Sequence, residues 1–293
     1  IKFTDNSLNI ENFSLKLGED PVSLKATVID FAKPKVDAAL KASIDLANIR
    51  DLAELPEGTA IKGRINADLT ARGEVDPARP ENMDIKGGVD LKNIALKTKE
   101  VTETVHINGK ADFSPSAVSE KFNIKIGESD LSINSRLTDY LGMVLPDSSK
   151  GKQVPKLNFT VTSNYIIPDK FLPAPDTTAN KQTAQSATPA DPVLLLVAPL
   201  PEVELSGNIR FNKIIYTGID LINTTVDMRM KDLIAHVNIG SELYGGRYDH
   251  KIHFNAQDHK NLIVNNDLKL NRVEIEELIG EISTLSPDEI PLA

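Results

Sequence analysis

The chain has 293 residues and a formal charge of −9, from 33 Lys and Arg against 42 Asp and Glu, and no cysteine. That balance argues against a nucleic-acid binder, which needs clustered cations against phosphate, and the missing cysteine excludes disulfides, zinc ribbons and thiol nucleophiles. Aromatics make up 5% and hydrophobic residues 40%, so burial must come from Ile, Leu, Val and Ala, a composition suited to long strands.

The commonest local pattern is alternation of apolar and polar residues, the signature of strands with one dry and one wet face. In chain order, Leu8, Ile10 and Phe13 come first, then Ile44, Leu46 and Ile49, then a short helical signature over 50–55 before Pro56. Ile61, Gly63, Ile65, Ala67 and Leu69 alternate with Lys62, Arg64, Asn66, Asp68 and Thr70. Ile85, Val89 and Leu91 continue the pattern, as do Leu205, Ile209 and Phe211 and finally Leu262, Val264, Leu268 and Leu270. Further short helices are expected over 137–145, 168–172, 193–198 and 274–282. No run approaches the ~20 apolar residues of a membrane-spanning helix.

A phrase of apolar, any, Gly, any, apolar, any, apolar recurs at 61–67, 85–91, 107–113 and 205–211, each Gly falling on the apolar face. A second phrase, in which two alternating apolar residues are followed three positions later by another, marks either a β-bulge or the passage from strand into turn or helix. The spacing of these repeats is unequal, which argues against a fixed-period solenoid. The expected fold is mostly β, a long antiparallel meandering sheet curved into a groove or trough, with a few short helices.

Two segments interrupt the pattern. Residues 146–156 read as an exposed loop. Residues 173–192 hold four Pro, five Ala and four Thr and almost no large apolar residue, so they are expected to be a disordered linker. It separates a β region over 1–172 from another over 193–293, and because both carry the Gly phrase, one continuous sheet is expected.

The search for chemistry finds no nucleophile elbow, P-loop, dinucleotide fingerprint or His-Glu-x-x-His. His250 and His253, three apart in a strand, point to opposite faces, so even with His259 nearby no metal site is expected. Glu274, Glu276, Glu277 and Glu281 form the densest carboxylate group. Glu277 and Glu281 would share a helix face suited to acid and base work, but a solvated face accounts for them equally. No base, nucleophile and orienting group can be assembled, so the chain is read as non-enzymatic, with no catalytic residues and no cofactor. Gly245 and Gly246, in Leu243-Tyr244-Gly245-Gly246, are expected to form a tight structural turn.

The run from Leu205 through Ile209, Phe211, Ile214 and Tyr216 to Gly218, with Leu221, Asn223, 237–243 and Tyr244-Gly245-Gly246-Arg247-Tyr248, resembles the C-terminal region of AsmA-like proteins of Gram-negative envelopes. The likeness is best over 201–282 and weaker over 38–113. It implies a periplasmic protein anchored in the inner membrane by a segment outside this chain, related to TamB-like and YhdP-like proteins. Those form elongated curved sheets whose apolar groove is thought to conduct phospholipid acyl chains between the two membranes. The chain is accordingly expected to be an excised piece of a longer protein.

The residues expected to line a lipid-facing groove are Ile61, Gly63, Ile65, Ile85, Gly87, Val89, Leu91, Leu205, Gly207, Ile209 and Phe211. The expected partners are phospholipid acyl chains, the inner membrane and outer-membrane or periplasmic proteins, and no nucleic acid. An alternative from a different class is a closed β-sandwich or barrel acting as a periplasmic scaffold that recruits protein partners in outer-membrane assembly.

Overall fold

A computed structural model describes residues 1–17, 19–51, 56, 58–76, 79–99, 103–141, 154–168, 203–216, 218–258 and 261–274, with 276 and 280. They form a single open sheet of fifteen strands, each hydrogen-bonded to its neighbours in chain order. The strands are β1 (Lys2–Thr4), β2 (Ser7–Leu17), β3 (Asp20–Ile29), β4 (Lys35–Asp45), β5 (Ala60–Glu74), β6 (Met83–Lys97), β7 (Val105–Ser114) and β8 (Ala117–Ile126). They continue as β9 (Ser129–Thr138), β10 (Lys156–Ser163), β11 (Glu204–Tyr216), β12 (Ile219–Lys231), β13 (Ile234–Leu243), β14 (Gly246–Asn255) and β15 (Ile263–Asn271).

Hairpin turns join most of them. The β12–β13 turn at Asp232-Leu233 and the β13–β14 turn at Tyr244-Gly245 both place two successive residues at positive φ, the two-residue turn whose twist matches that of paired strands. The expected Gly pair thus divides its work. Gly245 supplies the turn, while Gly246 opens β14 where a Cβ would meet the backbone of Arg272 and Val273.

The pairing departs from the expected antiparallel meander once. β10 and β11 run parallel, from Lys156 against Glu204 to Ser163 against Phe211. A parallel pair needs a connection long enough to return to the same end of the sheet, and the residues between Ser163 and Glu204 supply that length. The linker expected over 173–192 lies in this connection, outside the described residues; the loop expected over 146–156 instead lies between β9 and β10, likewise outside them apart from 154–156, where Lys156 opens β10.

Helix is scarcer than expected. A 3-10 helix at Leu46–Asp51 begins four residues before the signature at 50–55, and a second covers Pro80–Asn82. Leu137 and Thr138, assigned to a helix from sequence, pair with β8 and β10 in β9. Their alternation with Ile133 and Ser135 continues one strand, which overrides any local helical preference. Leu141, Glu276 and Gly280 are helical and Pro168 lies in a 3-10 turn, but Asp139, Tyr140 and Glu274 are not helical, and the remainder of the helices expected at 137–145, 168–172, 193–198 and 274–282 falls outside the described residues.

The steps of three resolve into both of their readings. In β2 the pairing slips between Ile10 and Phe13, and in β6 between Leu91 and Ile94, so both are bulges. Ile44, Leu46 and Ile49 instead mark the passage of β4 into the 3-10 helix. At Ile209, Phe211 and Ile214 the pairing to β12 runs in one register without a slip, and the irregularity lies one strand further on. Asn223 of β12 takes a φ of 50°, and the pairing to β13 slips between Ile222 and Thr225.

Candidate functional site

Directly paired residues in adjacent strands project to the same face, so the registers trace each face across the sheet. One row runs Ile44, Ile65, Leu91 and Gly109 from β4 to β7. It continues through Phe122, Ile133, Val161, Ile209, Val226 and Ile239 to β13. The next row contains Ala42, Ala67, Val89 and Ala111, and later Phe159, Gly207 and Met228. Every residue expected to line the groove falls on this single apolar face, although Ile61 to Leu91 and Leu205 to Phe211 are separated by four intervening strands. The sequence reading missed most of those strands' contribution, although the alternation of Leu157, Phe159 and Val161 within 157–161 carries the same signal.

The recurrent glycines serve two purposes. Gly63 and Gly87 have φ of 113° and 123°, and a Cβ on either would collide with the backbone of the adjacent strand, Asn93 and Ile94 in one case and Asp68 in the other. Gly63 faces the bulge itself, where Asn93, at a φ of 51°, is the extra residue. Gly109 and Gly207 instead lie under aromatic rings, Phe122 over the first and Phe159 over the second. The missing side chains therefore make room for this protein's own atoms.

Among the described residues the apolar face is covered at its margins and carries no second layer over its middle. The buried apolar residues, including Met83, Val118, Ile126, Ile214, Leu243 and Phe254, sit within a few residues of strand ends. Tyr140 and Leu141, just past β9, fold onto Met83 and Val118 and pack with Ile85, Phe113 and Leu137. The Tyr140 hydroxyl donates to Ser114 O at 3.2 Å, and burial raises its pKa. Between such ends, Ile65, Val89, Leu91, Phe122, Val161 and Ile209 are half-buried.

Polar groups punctuate this face. Glu120, paired with Ala111 and Ser135, accepts a 2.8 Å hydrogen bond from Ser135 Oγ. His250 lies there too, its Nδ1 3.0 Å from the Tyr248 hydroxyl and its Nε2 3.3 Å from Asn266 Oδ1. Burial raises the Tyr248 pKa. His253 projects from the opposite face, its ring 4.6 Å from that of His236, as the alternation of β14 requires. Among the described residues no group of three or more His, Asp or Glu is placed to hold a metal. Glu277, Glu281 and His259 lie outside them.

The other face is polar. Over β9 to β15 it forms a depression of about 1190 Å³, lined by Arg136, Asn158, Ser206, Arg229, His236 and His253 among others. The two faces therefore offer different surfaces, one of hydroxyls, amides and charges and one of aliphatic side chains. No described helix is long and apolar enough to cross a membrane.

No family model matches the chain, and no curated protein or solved structure matches it either.

Proposed function

We propose that the chain is a non-enzymatic lipid-handling protein of the cell envelope whose apolar sheet face receives phospholipid acyl chains. The observation carrying this reading is the mainly apolar face, interrupted at Glu120, Ser135 and His250, which crosses the sheet with no second layer over its middle among the described residues. The middle of this face is half-buried rather than sealed, and a run of partly exposed apolar residues suits a place where something binds. Acyl chains suit it because their attraction is non-directional, and each ~100 Å² covered contributes about 2.5 kcal/mol. The row from Ile44 to Ile239 presents an aliphatic side chain on all its strands but those of Gly109 and Phe122, so a chain can shift along the face without losing a specific contact. The resemblance to AsmA-like proteins supports the periplasm and an inner-membrane anchor outside this chain as the setting.

The test is mass spectrometry of an organic extract from the exported protein, purified without detergent beside an equally exported control. Phospholipid in fixed proportion to protein, absent from the control and lost in Ile209→Asp, is the expected result. A clean extract from well-folded protein would turn the assignment to a periplasmic scaffold that docks protein partners on exposed strand edges, on an open sheet rather than the closed sandwich or barrel expected for it.

A further inference from the structure

Among the described residues the last strand of the sheet is β15, and its outer edge is well suited to pairing. All nine residues of Ile263–Asn271 are exposed, and the strand contains neither proline nor bulge. It pairs residue for residue with β14 on one side, and no described strand covers the other. After Asn271 the chain turns at Arg272, φ 58°, and returns toward the β13–β14 hairpin, where the Glu274 N–H donates to Tyr244 O at 3.0 Å. The described continuation therefore leaves the outer edge bare. Such an edge carries a row of unpaired N–H and C=O groups that templates another strand.

We infer that β15 pairs antiparallel with β15 of a second copy of this chain, about a two-fold axis at Leu268. The strand's own charge pattern selects this partner and register. With Leu268 opposite its own copy, Asp267 faces Lys269 of the second molecule, and Lys269 faces that molecule's Asp267. In the single chain these two side chains form an exposed 3.3 Å ion pair with each other, which the dimer exchanges for two between copies. Asn265 falls opposite Asn271, and Leu270 opposite Asn266. Moving the axis one residue either way sets Asp267 against Asp267 or Lys269 against Lys269, and like charges directly opposite destabilise a pair. A lone edge lysine ordinarily discourages pairing. Here the same lysine finds a carboxylate, so it rejects other strands while accepting this one.

The pairing also covers apolar surface that the single chain leaves in water, since Leu268 is 56% and Leu270 45% exposed. A two-fold axis normal to the sheet keeps both apolar faces on the same side. Among the described strands the dimer is one sheet with twice their number, its apolar face running on through both copies and a β1 at each far edge. This inference stands on the edge alone and does not depend on what the face binds.

Sedimentation of the whole chain tests it. The expected mass is twice 32.0 kDa. Lys269→Asp and Asp267→Lys each place like charges opposite one another at two positions and are expected to weaken the dimer at least ~10-fold. Combining the two reverses the pattern, restores complementarity and is expected to restore the dimer. Because the chain has no cysteine, a spin label on Leu268→Cys reports the axis directly, as a contact-range distance between copies. A monomer at every accessible concentration, a dimer indifferent to both single changes, or a double variant that stays monomeric would each overturn the inference.

Discussion

The ring of Phe159 lies on Gly207, its parallel-paired neighbour in β11, in the space a Cβ would occupy. This contact spans the one seam where the sheet departs from antiparallel order. Gly207→Ala must displace the ring and is expected to lower stability by about 1–3 kcal/mol, the usual range for overpacking. In a Phe159→Ala background the same change should cost far less, and a denaturation double-mutant cycle measures the difference. Equal costs in both backgrounds would remove the ring as the cause.

Gly87→Ala is expected to be worse, and no single partner change should rescue it. Its φ of 123° disfavours any side chain, and the obstacle is the backbone of Asp68. Thermal melts of Gly87→Ala and Gly207→Ala should rank in that order.

Acid should weaken the β3–β5 end of the sheet through Asp20. Its buried carboxylate accepts the Asp45 N–H at 2.8 Å, Arg64 Nη1 at 2.8 Å and Asn48 Nδ2 at 2.9 Å. The backbone donor of Asp45 leads these in outweighing burial and holding the pKa below the usual carboxylate range. A depressed folded pKa contributes stability that is present above the unfolded value of ~3.9 and lost as pH falls through the folded one. Melting temperatures should thus fall more steeply below about pH 4 in the parent than in Asp20→Asn. Parallel profiles would show that another carboxylate governs the acid limb.

Val161 and Thr160 are neighbours on β10 that belong to opposite faces. Val161→Asp is expected to abolish lipid retention, while Thr160→Asp leaves it at the parent level, read as phospholipid per protein in the extract. Equal effects would place the lipid elsewhere than on the apolar face.

Much of this arrangement is legible in the sequence because alternation is local. The period of two assigns Ile65, Val89 and Ile209 to one face without knowledge of strand order, since every strand shares that face. The step of three at Ile10 and Phe13 likewise locates a bulge. Two things are not local. The parallel pairing of β10 and β11 depends on how a long connection returns, which periodicity does not encode. The purposes of Gly87 and Gly207 look identical in the repeated phrase and differ only in what the adjacent strand brings near, Asp68 backbone in one case and the Phe159 ring in the other. Glu120 is invisible as a feature of the apolar face because a carboxylate breaks the pattern by which that face is recognised.

The parallel seam also bears on how the molecule reaches this shape. Most strands pair with their neighbour in the chain across a short connection, the longer ones before β5 and β10 excepted, so each half can assemble by successive addition of strands at modest cost in loop closure. Lys156 meets Glu204 only after a far longer excursion. The sheet is therefore two quickly zipped ribbons joined by one slow step, and a chain caught before that step exposes the edges of β10 and β11 together. Those are the edges most in need of a chaperone while the protein is being made.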